Sequence, residues 1–94
     1  MKNLYIAKML GTAQGIEKMN SSERSMEPSG EFARDYNKMV GIINAAYPFI
    51  SNIMPPLAEL NRSQPQKLDF SRHRYSEIQA WCTQIYQILL EIPE

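Results

Sequence analysis

The sequence predicts an all-α fold, a small bundle of three main helices plus a short helical turn. Three observations support this prediction: the chain is short, its apolar residues recur at three- and four-residue steps, and no convincing two-residue alternation is present. Hydrophobic residues make up 44% and charged residues 21% of the 94 residues, as in ordinary globular domains. We therefore expect residues 1–94 to form a single helical domain.

The first predicted helix runs from Asn3 to about Ile16. Asn3 is a suitable N-cap, because its side-chain oxygen can accept a hydrogen bond from a free backbone N–H group. Gly11 and Gly15 weaken this helix, and a short strand at Leu4–Ala7 is the competing prediction. The apolar face of the helix consists of Ile6, Met9, Leu10, Ala13 and Ile16.

A polar, serine-rich segment follows at about residues 18–29 and is expected to be a surface loop or a mobile linker. The second predicted helix begins behind Ser29 as N-cap. Its apolar stripe stays in phase past Pro48, which favours a kinked helix, whereas a clean break at Tyr47 is the alternative. The stripe consists of Phe32, Tyr36, Met39, Val40, Ile43, Tyr47, Ile50 and Met54.

No charged residue occurs between Met39 and Ala58, a stretch long enough to cross a membrane. Its prolines would leave backbone carbonyl groups unpaired in lipid, so we expect a buried helix and no membrane association. Beside the main stripe, Ile42, Phe49 and Ile53 form a second apolar flank. A helix that is apolar over most of its circumference is central in its fold or docks on another surface. The flank at Phe49 and Ile53 is therefore a candidate partner interface.

The last predicted helix opens with Ser71 as N-cap, with Phe70 and Tyr75 spaced as a hydrophobic staple. Before it, Pro56 is a suitable first residue for the short helical turn at residues 56–60. Pro93 marks the end of the helix. The buried stripe is expected to contain Ile78, Trp81, Cys82, Ile85, Ile88, Leu89 and Ile92.

The outer face of the last helix is polar but uncharged from Ile78 to Leu90. Helices that face solvent usually carry Lys and Glu, whereas depletion of charge together with aromatic residues is typical of interface cores. Ordinary variation over a short stretch explains the pattern equally well. The candidate interface on this helix consists of Gln79, Thr83, Tyr86, Gln87 and Leu90.

Few residues suggest chemistry. His73 is the one histidine and has no evident acid or nucleophile as partner, so we interpret it as a solvated side chain. Cys82, the one cysteine, lies in the apolar stripe and is expected to be inert. Arg72 and Arg74 lie near a helix N-terminus and could contact an anion. We expect no catalytic site, no metal, no cofactor and no small-molecule substrate.

The sequence favours a non-enzymatic protein–protein interaction module, such as a small adaptor, inhibitor, antitoxin or assembly subunit. It is expected to form a homodimer or a complex with another chain. The alternative is a small regulator of helix-turn-helix type that contacts nucleic acid through Arg72 and Arg74. The formal net charge is zero, which argues against a nucleic-acid partner. A single cysteine fits a reducing, cytoplasmic setting.

Overall fold

The computed structural model describes residues 2–57 and 73–93. These residues form helices and contain no β-strand, so the predicted fold class, a small all-α bundle, is confirmed. Three main helices, α1, α3 and α4, contain 16 or 17 residues each. The elements in chain order are α1 (Lys2–Glu17), α2 (Ser21–Arg24), α3 (Gly30–Ala46), a 3₁₀ helix named η1 (Pro48–Asn52), and α4 (Tyr75–Glu91).

The chain divides into two compact units. The first unit combines residues 1–26 with residues 74–94 and contains α1, α2 and α4; the second spans residues 27–73 and contains α3 and η1. The prediction that residues 1–94 form one domain stays a prediction.

In the first unit, α1 packs lengthwise against α4. At one end of the pair, the ammonium group of Lys2 donates a hydrogen bond to the carbonyl oxygen of Ile92. At the other end, the backbone N–H group of Tyr75 donates to the carbonyl oxygen of Met26, at 3.1 Å. The start of α1 therefore lies beside the end of α4, and the two helices run antiparallel. Their buried side chains are Tyr5, Met9, Ala13 and Ile16 on α1, and Ile78, Cys82, Ile85 and Leu89 on α4.

The starts of both helices differ from the prediction. Helix α1 begins at Lys2, so Asn3 lies inside the helix and is not its N-cap. Helix α4 begins at Tyr75 with Arg74 as N-cap, where the backbone N–H group of Arg74 donates to a carboxylate oxygen of Glu77. The predicted start at Ser71 is therefore wrong, while Ser71 and Phe70 themselves lie outside the described residues. Both starts coincide with the long-range bonds of Lys2 and Tyr75, which local sequence patterns do not reveal.

The segment predicted as a polar loop at about 18–29 contains the short helix α2. The side chain of Asn20 caps this helix by accepting a hydrogen bond from the N–H group of Glu23, at 2.8 Å. No residue of α2 is buried, so the segment lies at the surface as expected. Asn20 supplies the Asx-type cap that makes one helical turn favourable in an otherwise polar stretch.

In the second unit, Ser29 caps α3 as predicted, because its hydroxyl oxygen accepts a hydrogen bond from the N–H group of Phe32 at 3.1 Å. The helix ends at Ala46, and Tyr47 leaves the helical region with φ −134° and ψ 84°. The preferred prediction of a kinked helix continuing past Pro48 is therefore wrong, and the clean break is found. Pro48 lacks an N–H group and disfavours a helical residue before it. The α-helix therefore ends before Pro48, and the chain continues as the 3₁₀ helix η1.

Burial follows the predicted stripes in part. Tyr5 and Ala33, which lie outside those stripes, are buried. The stripe residues that are half-buried instead of buried are Ile6, Leu10, Phe32, Met39, Tyr47, Trp81, Ile88 and Ile92. Ile43, Ile50 and Met54 of the second unit are fully buried, although the chain breaks between the first and the other two. Trp81, predicted as a core residue, is only half-buried. On the helical wheel it lies at the edge of the face centred on Ile78 and Ile85, which explains its partial exposure.

The short turn predicted at residues 56–60 falls mostly outside the described residues, and its described residues, Pro56 and Leu57, are not helical. Across the described part of the chain, no helix is both long enough and apolar enough to span a bilayer.

Candidate protein-contact site

The first unit carries a groove of about 210 Å³ between α1 and α4. Antiparallel packing brings the C-terminal half of α1 beside the middle of α4, so the groove follows both helices. Residues four apart on a helix share a face, which places each lining set in one row. The groove is lined by Leu10, Ala13, Gln14 and Glu17 from α1, and by Gln79, Thr83, Tyr86 and Gln87 from α4. We call these eight residues, together with Leu90, the groove face.

The groove face is polar at its edges and apolar at its floor. Ala13 is buried and Leu10 is half-buried, whereas Gln14, Thr83 and Gln87 are exposed. Each glutamine side chain can both donate and accept hydrogen bonds. The hydroxyl group of Thr83 donates to the carbonyl oxygen of Gln79, at 2.9 Å, which fixes its orientation along α4.

Glu17 is the one charged residue among the eight that line the groove, and its side chain is exposed. It lies at the end of α1, at the same end of the groove as Gln79, because the helices are antiparallel. The groove, which spans about two turns of each helix, is therefore lined by a single negatively charged residue. The groove face can accept a neutral partner surface without desolvating many ions.

Leu90 is exposed on the same side of α4. Its side chain is 54% exposed, which makes it one of the large apolar residues that the fold leaves in solvent. Leu90 lies one turn beyond Tyr86 and two turns beyond Thr83, so it continues the row of α4 residues that line the groove. The groove face thus combines a recess with an exposed leucine.

The predicted interface residues therefore fall into two sets. Gln79, Thr83, Tyr86 and Gln87 line the groove. Phe49 and Ile53 belong to the second unit and are half-buried, and the ring of Phe49 contacts the ring of Tyr47 edge-on at 6.2 Å. Their role as partner contacts stays a prediction. The exposed member of that flank is Ile42, on α3.

The groove residues of α1 were not predicted as partner contacts. The sequence predicts Leu10 and Ala13 only as members of a core stripe, and it predicts no role for Gln14. The available signal was positional: residues 10, 13, 14 and 17 share one face at helical spacing, but only the pairing with α4 shows that this face borders a recess.

Arg74, one of the two residues of the predicted anion contact, already has a structural partner. The guanidinium group of Arg74 donates a hydrogen bond to the carbonyl oxygen of Ser25, which joins the N-terminus of α4 to the end of α2. The N–H group of Tyr75, in the first turn of α4, is bonded to Met26. Arg72 lies outside the described residues. An anion at this helix end stays a prediction.

Cys82 is fully buried on the inner face of α4. Burial raises the pKa of its thiol from 9.0 to about 12, because the low-dielectric surroundings disfavour the thiolate. The thiol is therefore expected to react slowly with thiol reagents in the folded protein. His73 is half-buried. Among residues 2–57 and 73–93, no group of three or more His, Cys, Asp or Glu side chains is arranged to hold a metal ion.

Comparisons with protein-family models, with curated proteins and with solved structures found no match to this chain.

Proposed function

We propose that this chain is a protein–protein interaction module and that the groove face of α1 and α4 is its contact surface. The observation that carries the proposal is a two-helix surface with a recess, an exposed leucine and a single charged residue. A small adaptor, inhibitor, antitoxin or assembly subunit acts through such a surface and needs no chemistry of its own.

Electrostatics supports a contact role for the groove face. A charged side chain is strongly hydrated, and covering it without a partner is unfavourable. Gln14, Thr83 and Gln87 retain hydrogen-bonding groups but carry no net charge, so covering them removes less hydration. Interface cores are depleted in charged residues in the same way.

Leu90 supports the proposal from packing. Transfer of a leucine side chain from water to an apolar contact is favourable by about 1.5–3 kcal/mol when burial is complete. A residue that is 54% exposed leaves roughly half of this free energy unrealised in the isolated chain. The half-buried ring of Tyr86, one turn away, adds an aromatic side chain of the type that anchors interfaces.

The experiment is affinity purification of the tagged chain from cells that produce it, followed by quantitative mass spectrometry. The test variant combines Gln87→Lys with Leu90→Lys, and the matched control is Gln84→Lys, on an exposed position of the same helix that does not line the groove. We expect a protein partner, including untagged copies of this chain, to be recovered at similar levels with the wild type and with Gln84→Lys. The double variant should lose it at least tenfold.

Equal recovery with all three proteins would contradict the assignment of the contact surface to the groove face. Recovery of nucleic acid with no dependence on these substitutions would contradict the proposed function as well. Circular dichroism of each variant establishes that helix content is unchanged, as expected for substitutions at exposed positions.

A further inference from the structure

We propose that the partner on the groove face is a second copy of this chain, with Leu90 of each copy inserted into the groove of the other. This inference rests on the proposed function and specifies the partner of the same surface.

The geometry of the groove face is self-complementary. A two-fold symmetric interface uses one surface patch on both subunits, so a protrusion on that patch must meet a recess on the same patch. Leu90 is exposed, whereas Leu10 and Ala13 give the groove an apolar part of its lining. Leu90 lies seven residues beyond Thr83, which corresponds to about 10 Å along the helix. A two-fold axis that lies in the interface, midway between Leu90 and the groove, places Leu90 of each copy against the groove of the other. Both leucines are then covered at once.

The polar rim is also self-complementary. Glutamine side chains donate through the amide NH₂ group and accept through the carbonyl oxygen, so Gln14, Gln79 and Gln87 of one copy can pair with those of another. Glu17 would repel a strongly acidic partner, and it offers only one negative charge to a strongly basic partner. A neutral, amide-rich surface suits the groove face best, and the groove face is itself such a surface.

The area of the groove face corresponds to a weak, transient dimer. Residues 10–17 and 79–90 are about 12 and 18 Å long, and two helices side by side are about 20 Å wide, so each copy offers about 300 Å². Two copies together cover about 600 Å², which is below the range of stable protein interfaces. The net charge of zero does not oppose association. A reversible dimer in fast exchange is expected.

The first test is sedimentation equilibrium of the full chain from micromolar to millimolar concentration. The wild type should pass from monomer to dimer, without larger species, because a two-fold contact closes on itself. Gln87→Glu adds a second negative charge to a face that already carries Glu17, and a dimer feels the change twice. We expect it to weaken dimerisation at least tenfold, while Gln84→Glu leaves dimerisation within twofold of the wild type.

The sign of the added charge distinguishes a second copy from a basic partner. A basic partner would bind Gln87→Glu more tightly than the wild type, whereas a second copy binds it less tightly. A wild type that stays monomeric up to millimolar concentration overturns this inference. It leaves the proposed function standing if the purification experiment still recovers a different protein that depends on Gln87 and Leu90.

The second test locates the contact by cross-linking. Leu90→Cys and a ¹⁵N-labelled Gln14→Cys protein are mixed and treated with a short thiol-specific cross-linker, while the buried native thiol of Cys82 stays unreactive. The control mixture pairs Leu90→Cys with ¹⁵N-labelled Gln84→Cys. We expect the mixed cross-linked dimer to be at least fivefold more abundant with Gln14→Cys. Equal yields from both mixtures would overturn the proposed insertion of Leu90 into the groove.

Discussion

The side-chain amide of Asn37 pairs with both backbone groups of Leu57. Its Nδ2 atom donates to the carbonyl oxygen of Leu57 at 2.8 Å, and the N–H group of Leu57 donates to its Oδ1 atom at 2.7 Å. The hydroxyl group of Tyr36, the residue before Asn37 in α3, donates to the carbonyl oxygen of Pro55, at 3.0 Å. These bonds hold the extended residues after η1 against α3, where a backbone without secondary structure would otherwise lack partners.

Asn37→Ala should therefore destabilise the protein by about 1–3 kcal/mol, because it removes two hydrogen bonds and leaves the backbone of buried Leu57 unpaired. The measurement is urea denaturation followed by circular dichroism. Asn52→Ala is the control, since it makes the same change at an exposed position. Equal stabilities of the two variants would show that the pairing of Asn37 with Leu57 contributes nothing measurable.

Ile85→Asp is expected to unfold the protein. Ile85 is 0% exposed on the inner face of α4. A carboxylate without partners at such a position costs several kcal/mol, comparable with a total stability of about 5–15 kcal/mol. Gln84→Asp changes the neighbouring exposed residue to the same side chain and should retain a cooperative thermal transition. A folded, cooperative Ile85→Asp protein would contradict the helical phase of α4.

Stability should fall at alkaline pH because of Cys82. Its pKa is about 12 in the folded protein against 9.0 ordinarily, so the folded thiol stays protonated while the unfolded chain ionises. The stabilisation is complete below about pH 9 and is lost as the pH rises towards 12, by up to about 1.4 kcal/mol per pH unit. Tyrosine and lysine side chains also titrate there, so the quantity to measure is the difference in slope between wild type and Cys82→Ala. Identical slopes would show that Cys82 is not held protonated.

Gly11→Ala and Gly41→Ala should each stabilise the protein by about 0.5–1 kcal/mol. Both residues lie inside helices, and a methyl group added at either position meets no atom within 4 Å. Alanine therefore increases helix propensity without a steric penalty. Thermal unfolding of each single variant and of the double variant measures the effect. A decrease in melting temperature would mean that one of these faces packs against something in solution, a partner included.

Local patterns predicted the elements whose determinants are close in sequence. Ser29 caps α3 through a residue three positions away, and the stripe of Ile78, Ile85 and Leu89 follows directly from helical spacing. The predicted start of α4 is too early, because Ser71 is a residue type that commonly caps helix N-termini. The helix instead starts where Tyr75 bonds to Met26, a contact across 49 residues that no local rule contains.

The sequence predicts the α4 side of the candidate site but not its α1 side. Depletion of charge identified Gln79, Thr83, Tyr86 and Gln87 on α4, since composition along one helix is visible in the sequence. The α1 side of the groove depends on which helix lies beside α4 and in which direction. That direction is visible in pairs such as Lys2 with Ile92, which only the folded chain brings together.

The measurement that tests the central claim most directly is a dilution series followed by two-dimensional ¹H–¹⁵N NMR, in which each backbone amide reports on its own surroundings. If the groove face is the contact surface and a second copy covers it, the resonances of Gln14, Thr83, Gln87 and Leu90 should move progressively with concentration. Those of Gly11 and Gln84, on other faces of the same helices, should stay fixed. Movement confined to residues 49–53, or no movement from micromolar to millimolar concentration, would contradict the self-association of this chain through the groove face.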